Sequence, residues 1–137
     1  MDLNLDSLLG NDFRGATFHD SLIVRLHVDF VTATAELHCL IFIGRSNNMN
    51  SYTSGILKFT RLLFFALEPP HSEFLTNKPL WITADGPLPD PQFKSEMKLP
   101  TNLPKDTFMH YIYSSSTNSF MVVAAGEASF TWKNIME

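Results

Sequence analysis

Between Leu22 and Ile43 the chain alternates apolar and polar residues twice, and the parity reverses half-way. Leu22, Val24, Leu26, Val28 and Phe30 share one parity; Ile23, Arg25, His27 and Asp29 share the other. After Val31-Thr32-Ala33-Thr34 the apolar set becomes Ala35, Leu37, Cys39, Ile41 and Ile43, with Glu36 and His38 between them. A period of two belongs to an extended strand with one buried face. Its reversal across four residues predicts an antiparallel hairpin turning at Thr32-Ala33. A turn centred there sets Phe30 opposite Ala35, Val28 opposite Leu37, Leu26 opposite Cys39 and Val24 opposite Ile41. Apolar thus meets apolar throughout, which specifies register when one face is buried.

The rest of the chain extends the same theme. "GRSNNMNSYTSG" (44–55) reads as a polar loop. "ILKFTRLLFFAL" (56–67) reads as a strand whose second half is apolar on both faces; a buried helix is the alternative, and Glu68-Pro69-Pro70 ends either. "PLWITA" (79–84) reads as a short strand. "TFMHYIYS" (107–114), "SFMVVAA" (119–125) and "ASFTWK" (128–133) read as antiparallel strands, with Gly126-Glu127 as a break or as a bulge within one longer strand. The first two are joined by a Ser/Thr/Asn turn at 115–118. Residues 85–106 hold five prolines (Pro87, Pro89, Pro91, Pro100, Pro104) of the chain's 8, so a long loop, functional or mobile, is expected there. Leu3, Leu5, Leu8, Leu9 and Phe13 predict an N-terminal arm or short helix over 1–16. The expected architecture is a single β-rich domain over 1–137: a mainly β, antiparallel curled sheet, barrel or sandwich, with at most one or two short helices.

Charge and cysteine usage narrow the partners. Acidic residues outnumber basic ones 14 to 10, with no basic cluster, so nucleic acid is not an expected partner, and no membrane partner is expected either. The longest apolar run, Leu62 to Leu67, is far short of the ~20 residues that span a bilayer. "MDLNLDSLLG" carries two Asp and no cation before its apolar run, the wrong flank for a secretory signal, and a cytoplasmic location is expected. Cys39 is the single cysteine. It falls on the apolar parity, where cysteine serves as a small hydrophobe.

Two constellations hold the residue types of catalysis or metal binding. His19-Asp20-Ser21 contains the elements of a hydrolytic triad, but consecutive residues on a strand point to alternate faces and cannot converge. Its His-Asp step also differs from that of the HD phosphohydrolases, which carry it on a helix with another histidine earlier in the chain. His19 and Asp20 are therefore expected to be a structural motif at the start of the first strand. The predicted hairpin register also sets His27 opposite His38 and Asp29 opposite Glu36. Two imidazoles and two carboxylates so placed could hold a divalent cation; a solvated sheet face is the commoner case, and no other cofactor is expected. No catalytic residue is expected, and the reading points away from an enzyme.

Phe18-His19-Asp20, followed by a long alternating strand, a tight hairpin and a second strand, resembles a group of small bacterial β-rich proteins that open with "(F/L)-H-D-(S/A)". Many of them close on an aromatic strand like "ASFTWK". Some similar proteins look like immunity proteins, which neutralise a cognate toxin by binding it. The resemblance implies the β-rich fold and a module working by protein–protein interaction. A small metal- or ligand-binding β-barrel and a structural homodimer paired through strand edges are the other two expectations.

Overall fold

An alternating strand hides its apolar face only by joining a sheet that bends around that face. The computed structural model, which describes residues 2–69 and 79–133, does this with a single sheet. A 3-10 helix (Leu5–Leu9) is followed by β1 (Thr17–Asp29), β2 (Thr34–Ser46), β3 (Met49–Leu67), β4 (Leu80–Trp81), β5 (Ala84–Pro87), β6 (Phe108–Ser114) and β7 (Ser119–Trp132). The strands pair antiparallel in the order β4-β1-β2-β3-β7-β6-β5. The protein is mainly β, a curled half-barrel, as its alternation implies.

The two outermost strands are consecutive in sequence, and the stretch between them binds both ends of the sheet. Ile82 N–H donates to Ser21 O (2.8 Å) and Ile82 O accepts from Asp20 N–H (2.9 Å), while Thr83 N–H donates to Tyr113 O of β6 (2.9 Å). Residues 80–87 are thus a strap across the mouth of the curl.

The concave side holds the main core: Phe18 and Ile23 of β1, Leu37, Cys39 and Ile41 of β2, Leu57 and Phe59 of β3, Phe108 and Ile112 of β6, and Met121 and Val123 of β7. The 3-10 helix contributes Leu5 and Leu9. It is held by side chains and not by its own length: Asp6 accepts from Phe18 N–H (2.8 Å) and Thr17 Oγ1–H (2.9 Å), and Trp132 Nε1–H donates to Leu9 O (3.1 Å).

Residues 119–126 are all buried, which requires cover on both faces. The outer cover is the proline-rich segment. Its residues alternate, Phe93, Ser95, Met97 and Leu99 half-buried against exposed Lys94, Glu96 and Lys98. Leu88, Phe93, Met97 and Leu99 pack on a second cluster formed by Tyr111, Phe120 and Val122. Glu68 clamps the arm: its carboxylate accepts from Ser95 Oγ–H (2.6 Å) and from Phe120 N–H (2.8 Å). The long loop expected over 85–106 is therefore the end of β5 plus an extended arm seated on the sheet.

Two local expectations are corrected, the 44–55 loop and the first hairpin's register, and two alternatives are decided. The 44–55 loop is a hairpin: Ser46 pairs with Met49 around Asn47-Asn48, whose φ values of 54° and 61° are those of a type I′ turn. Segment 56–67 is strand, not helix, the second half of β3. Segments 119–125 and 128–133 are one strand, with Gly126 inside it. The first hairpin turns through four residues, 30–33, which moves its register by two residues from the predicted one: Leu26 faces Leu37 and Val28 faces Ala35. Pro70 lies outside the described residues.

Bulges account for the remaining differences in β1. Between Ile23 and Arg25 the strand takes two steps against one on β2, so the inward set switches from Ser21 and Ile23 to Leu26 and Val28, and Val24 is left exposed. Between Thr17 and Leu22 it takes five steps against two. Asp20 sits there at φ 71°, and the fully buried Ser21 fills the irregularity. Ser21 Oγ accepts from Phe42 N–H (2.8 Å) and donates to Thr17 O (2.7 Å), supplying bonds that the ladder lacks.

Candidate functional site

The four predicted metal ligands all lie at the β1–β2 hairpin, but the true register does not gather them. Arg25 faces His38, His27 faces Glu36, and Asp29 faces Thr34. Glu36 and His38, two apart on β2, approach to 3.5 Å, while Lys58 stands across from Glu36 on β3. Arginine and lysine beside these groups make a face of mixed charge. Among the described residues, no group of three or more His, Cys, Asp or Glu is placed to hold a metal ion. The correction follows from the turn: two extra loop residues slide each imidazole past its intended partner.

His19 and Asp20 do come together, Nδ1 to Oδ2 at 3.2 Å, and the other Asp20 oxygen accepts from Trp81 Nε1–H (3.1 Å). Asp20 therefore ties Trp81 of the strap to β1 at the bulge, with His19 against its other oxygen. Cys39 is buried, and desolvation pushes its thiol up to about 12.

Asp29 has a different task. Its Oδ1 accepts from Val31 N–H (2.9 Å) and Thr32 N–H (3.0 Å), an Asx turn that shapes the tip of the hairpin. These bonds, that from Thr32 foremost, hold its carboxyl below the usual 3.8. Thr32 and Thr34 hydroxyls meet at 2.9 Å, and Leu62 N–H donates to Ala33 O (2.9 Å), so the tip is also tied to β3. Phe30 and Val31 ride on this rigid turn at 90% and 95% exposure. Beside them lies a shallow cleft of about 150 Å³ lined by Phe30, Ala33 and Leu62 to Phe65, where Leu63 is also exposed. Arg61, at φ 52°, sits just before the bulge that turns Leu63 outward.

A second polar feature was not predicted. His110 of β6 shares the inward parity of Phe108 and Ile112 and is buried, and its Nε2 lies 2.6 Å from Asp85 Oδ2 of β5. Nδ1 of the same ring is buried with no partner among the described residues. The pair borders an open cleft of about 390 Å³, lined also by Asp2, Asn4, Asp6 and Pro87. A carboxylate-oriented imidazole is one component of acid–base chemistry, but the residues lining this cleft supply no hydroxyl or thiol beside it. Its visible work is to join β5 to β6 from inside the curl. The sequence signal was a histidine on the apolar parity of "TFMHYIYS".

No protein-family model matches the chain, and no curated protein matches it. Among solved structures it is similar to an uncharacterized protein from Neisseria gonorrhoeae, at 14% identity with a TM-score of 0.49, over 84% of this chain and 93% of that one.

Proposed function

We propose that the chain is a non-enzymatic binding module that acts by covering the surface of a partner protein, with the β1–β2 tip as its anchor. The observation that carries this reading is the display of Phe30 and Val31, almost fully exposed, on a turn fastened at three points. Large side chains held out in this way cost hydration in the free protein and return it on docking. Burial of one Phe or Val side chain is worth roughly 1.5–3 kcal/mol, and a preformed turn spares the ordering cost of binding. The ionised Asp29 at the base of the tip and the overall charge of −4 favour a partner offering an apolar pocket rimmed by cations, over an anionic lipid surface. Immunity toward a cognate toxin is the specific form of this reading that the likeness in "FHDS" suggests.

The test places a photo-crosslinking benzoylphenylalanine at Val31 in cells. The expected result is one discrete protein adduct that untagged chain competes away and that Phe30→Ser reduces about tenfold, the loss of roughly 1.4 kcal/mol of binding. Lipid adducts alone, or none, would overturn the proposal. An adduct of twice the chain's own mass would transfer the tip to the homodimer reading.

A further inference from the structure

The outer face of the β5–β6 pair carries a groove that has no part in the tip. It has a volume of about 530 Å³ and is bounded by Tyr111 and Tyr113 of β6, Phe120 of β7, Ala84 of β5, and Gln92 and Lys94 of the arm. That size lies within the ~300–1,000 Å³ of small-ligand pockets. The groove exists because β5 is almost bare where β6 is bulky. Ala84 stands directly across from Tyr113, and Gly86 directly across from Tyr111. At Gly86 even a Cβ would come within 3.2 Å of the Tyr111 ring.

The aromatic wall is rigid. Tyr113 and Phe120 rings lie 4.7 Å apart and Tyr111 and Phe120 5.9 Å, while Phe93 backs them from the arm, its ring 4.8 Å from that of Phe120. Each tyrosine hydroxyl is already directed: Tyr111 donates to Asp90 Oδ2 (3.2 Å) and Tyr113 to Asn118 Oδ1 (2.7 Å). Burial, and then the Asp90 charge, raise the Tyr111 hydroxyl above its usual 10.0, so it stays a neutral donor. The Asp90 carboxylate is occupied, since it also accepts from Gln92 N–H (2.8 Å). Lys94 is the one cation bordering the groove, it is exposed, and it enters no ion pair among the described residues.

We infer that this groove binds a small carboxylate borne on a flat ring, the ring lying on Tyr113 over Ala84 and the carboxylate meeting the Lys94 ammonium. Aromatic acids offer a flat ring with an anion at its edge, and acidic sugars approach the same chemistry with the C–H face of a puckered ring. The tyrosine oxygens, their O–H groups engaged, can still accept from a ligand hydroxyl, and the Gln92 side-chain amide can donate, which suits a polar rim.

Titration of the full chain with 4-hydroxybenzoate and, separately, with glucuronate, followed by amide chemical shifts, tests the inference. At least one acid is expected to produce saturable shifts centred on Ala84, Lys94, Tyr113 and Phe120 below about 10 mM. A response to the benzoate alone assigns an aromatic ring; a response to glucuronate alone assigns a sugar acid. Lys94→Gln, at an exposed position that leaves the fold intact, is expected to weaken the bound acid about tenfold while leaving its neutral amide analogue unchanged. Ala84→Leu is expected to abolish the shifts while preserving spectral dispersion. Absence of saturable shifts with both acids, shifts centred elsewhere, or equal affinity in Lys94→Gln would overturn the assignment.

Discussion

Ser21 is the residue whose removal most directly tests the account of β1. Ser21→Ala deletes one oxygen that accepts from Phe42 N–H at 2.8 Å and donates to Thr17 O at 2.7 Å, in a side chain with no exposure at all. The alanine methyl fits the same space, so no overpacking intervenes. What is lost is satisfaction of two backbone groups. A buried polar group left unmet costs about 1–3 kcal/mol; because both partners are part-buried, the low end of that range applies to each, about 1–1.5 kcal/mol, or about 2–3 kcal/mol together. At about 2.1 cal/mol/K per residue, unfolding of this 137-residue chain carries about 0.29 kcal/mol/K. Each kcal/mol therefore moves Tm by about 3.5 °C, and Ser21→Ala should melt about 7–10 °C below the parent. Circular dichroism melts measure this, with the exposed Ser129→Ala as a control expected to stay within about 2 °C. Hydrogen exchange adds a local readout, since the Phe42 amide should lose protection ahead of the other β2 amides. If Ser21→Ala melts within about 2 °C of the parent with Phe42 still protected, the hydroxyl is not what closes the irregularity.

Two other positions follow from the same reasoning. A Cβ on Gly55 would lie 2.0 Å from Phe130 Cζ, the ring that crosses over β3 at this point, so Gly55→Ala should cost about 1–3 kcal/mol in a denaturant titration, and Phe130→Leu should recover part of that loss in the double variant; strict additivity would contradict the contact. Burial and a thiol pushed up to about 12 make Cys39 inert in the folded protein, so a disulfide reagent at pH 8 should titrate no thiol until denaturant is added, and rapid reaction with native protein would show that the β2 core face opens to solvent.

The strands were legible in the sequence because burial writes itself as alternation, and a period of two survives even where register is misjudged. The register of the first hairpin was not legible from apolar matching. Sliding β1 by two residues keeps every apolar residue on the inner face, so Leu26 meets Leu37 as acceptably as Cys39. What decides it is the four-residue turn, and its signal was Asp29, whose carboxylate caps Val31 and Thr32. The predicted metal site fell with that register. Asn47-Asn48 was a readable turn signal inside a stretch that composition alone marked as loop. In the proline-rich arm the alternation of Phe93, Ser95, Met97 and Leu99 was present but hidden by the prolines around it, which break strand pairing without preventing burial. The His110–Asp85 contact and the groove over Ala84 join strands distant in sequence, and no local pattern encodes such a meeting.

The order of the strands also sets how the molecule must assemble. β1, β2 and β3 are successive hairpin neighbours, as are β6 and β7, so each group can form from contacts close in sequence. The two groups meet along β3 and β7, where Leu62 pairs with Ala125 and Leu67 with Met121. That seam closes a loop of tens of residues before any of its bonds form, which makes it the kinetic bottleneck of a sheet like this one. The strap from Leu80 to Pro87 can bind Ser21 on one side and Tyr113 on the other only after the seam has brought both ends of the curl within reach. Locking the mouth is therefore expected to come late in folding, and its opening to be the first loosening that native-state hydrogen exchange detects at Ile82 and Thr83.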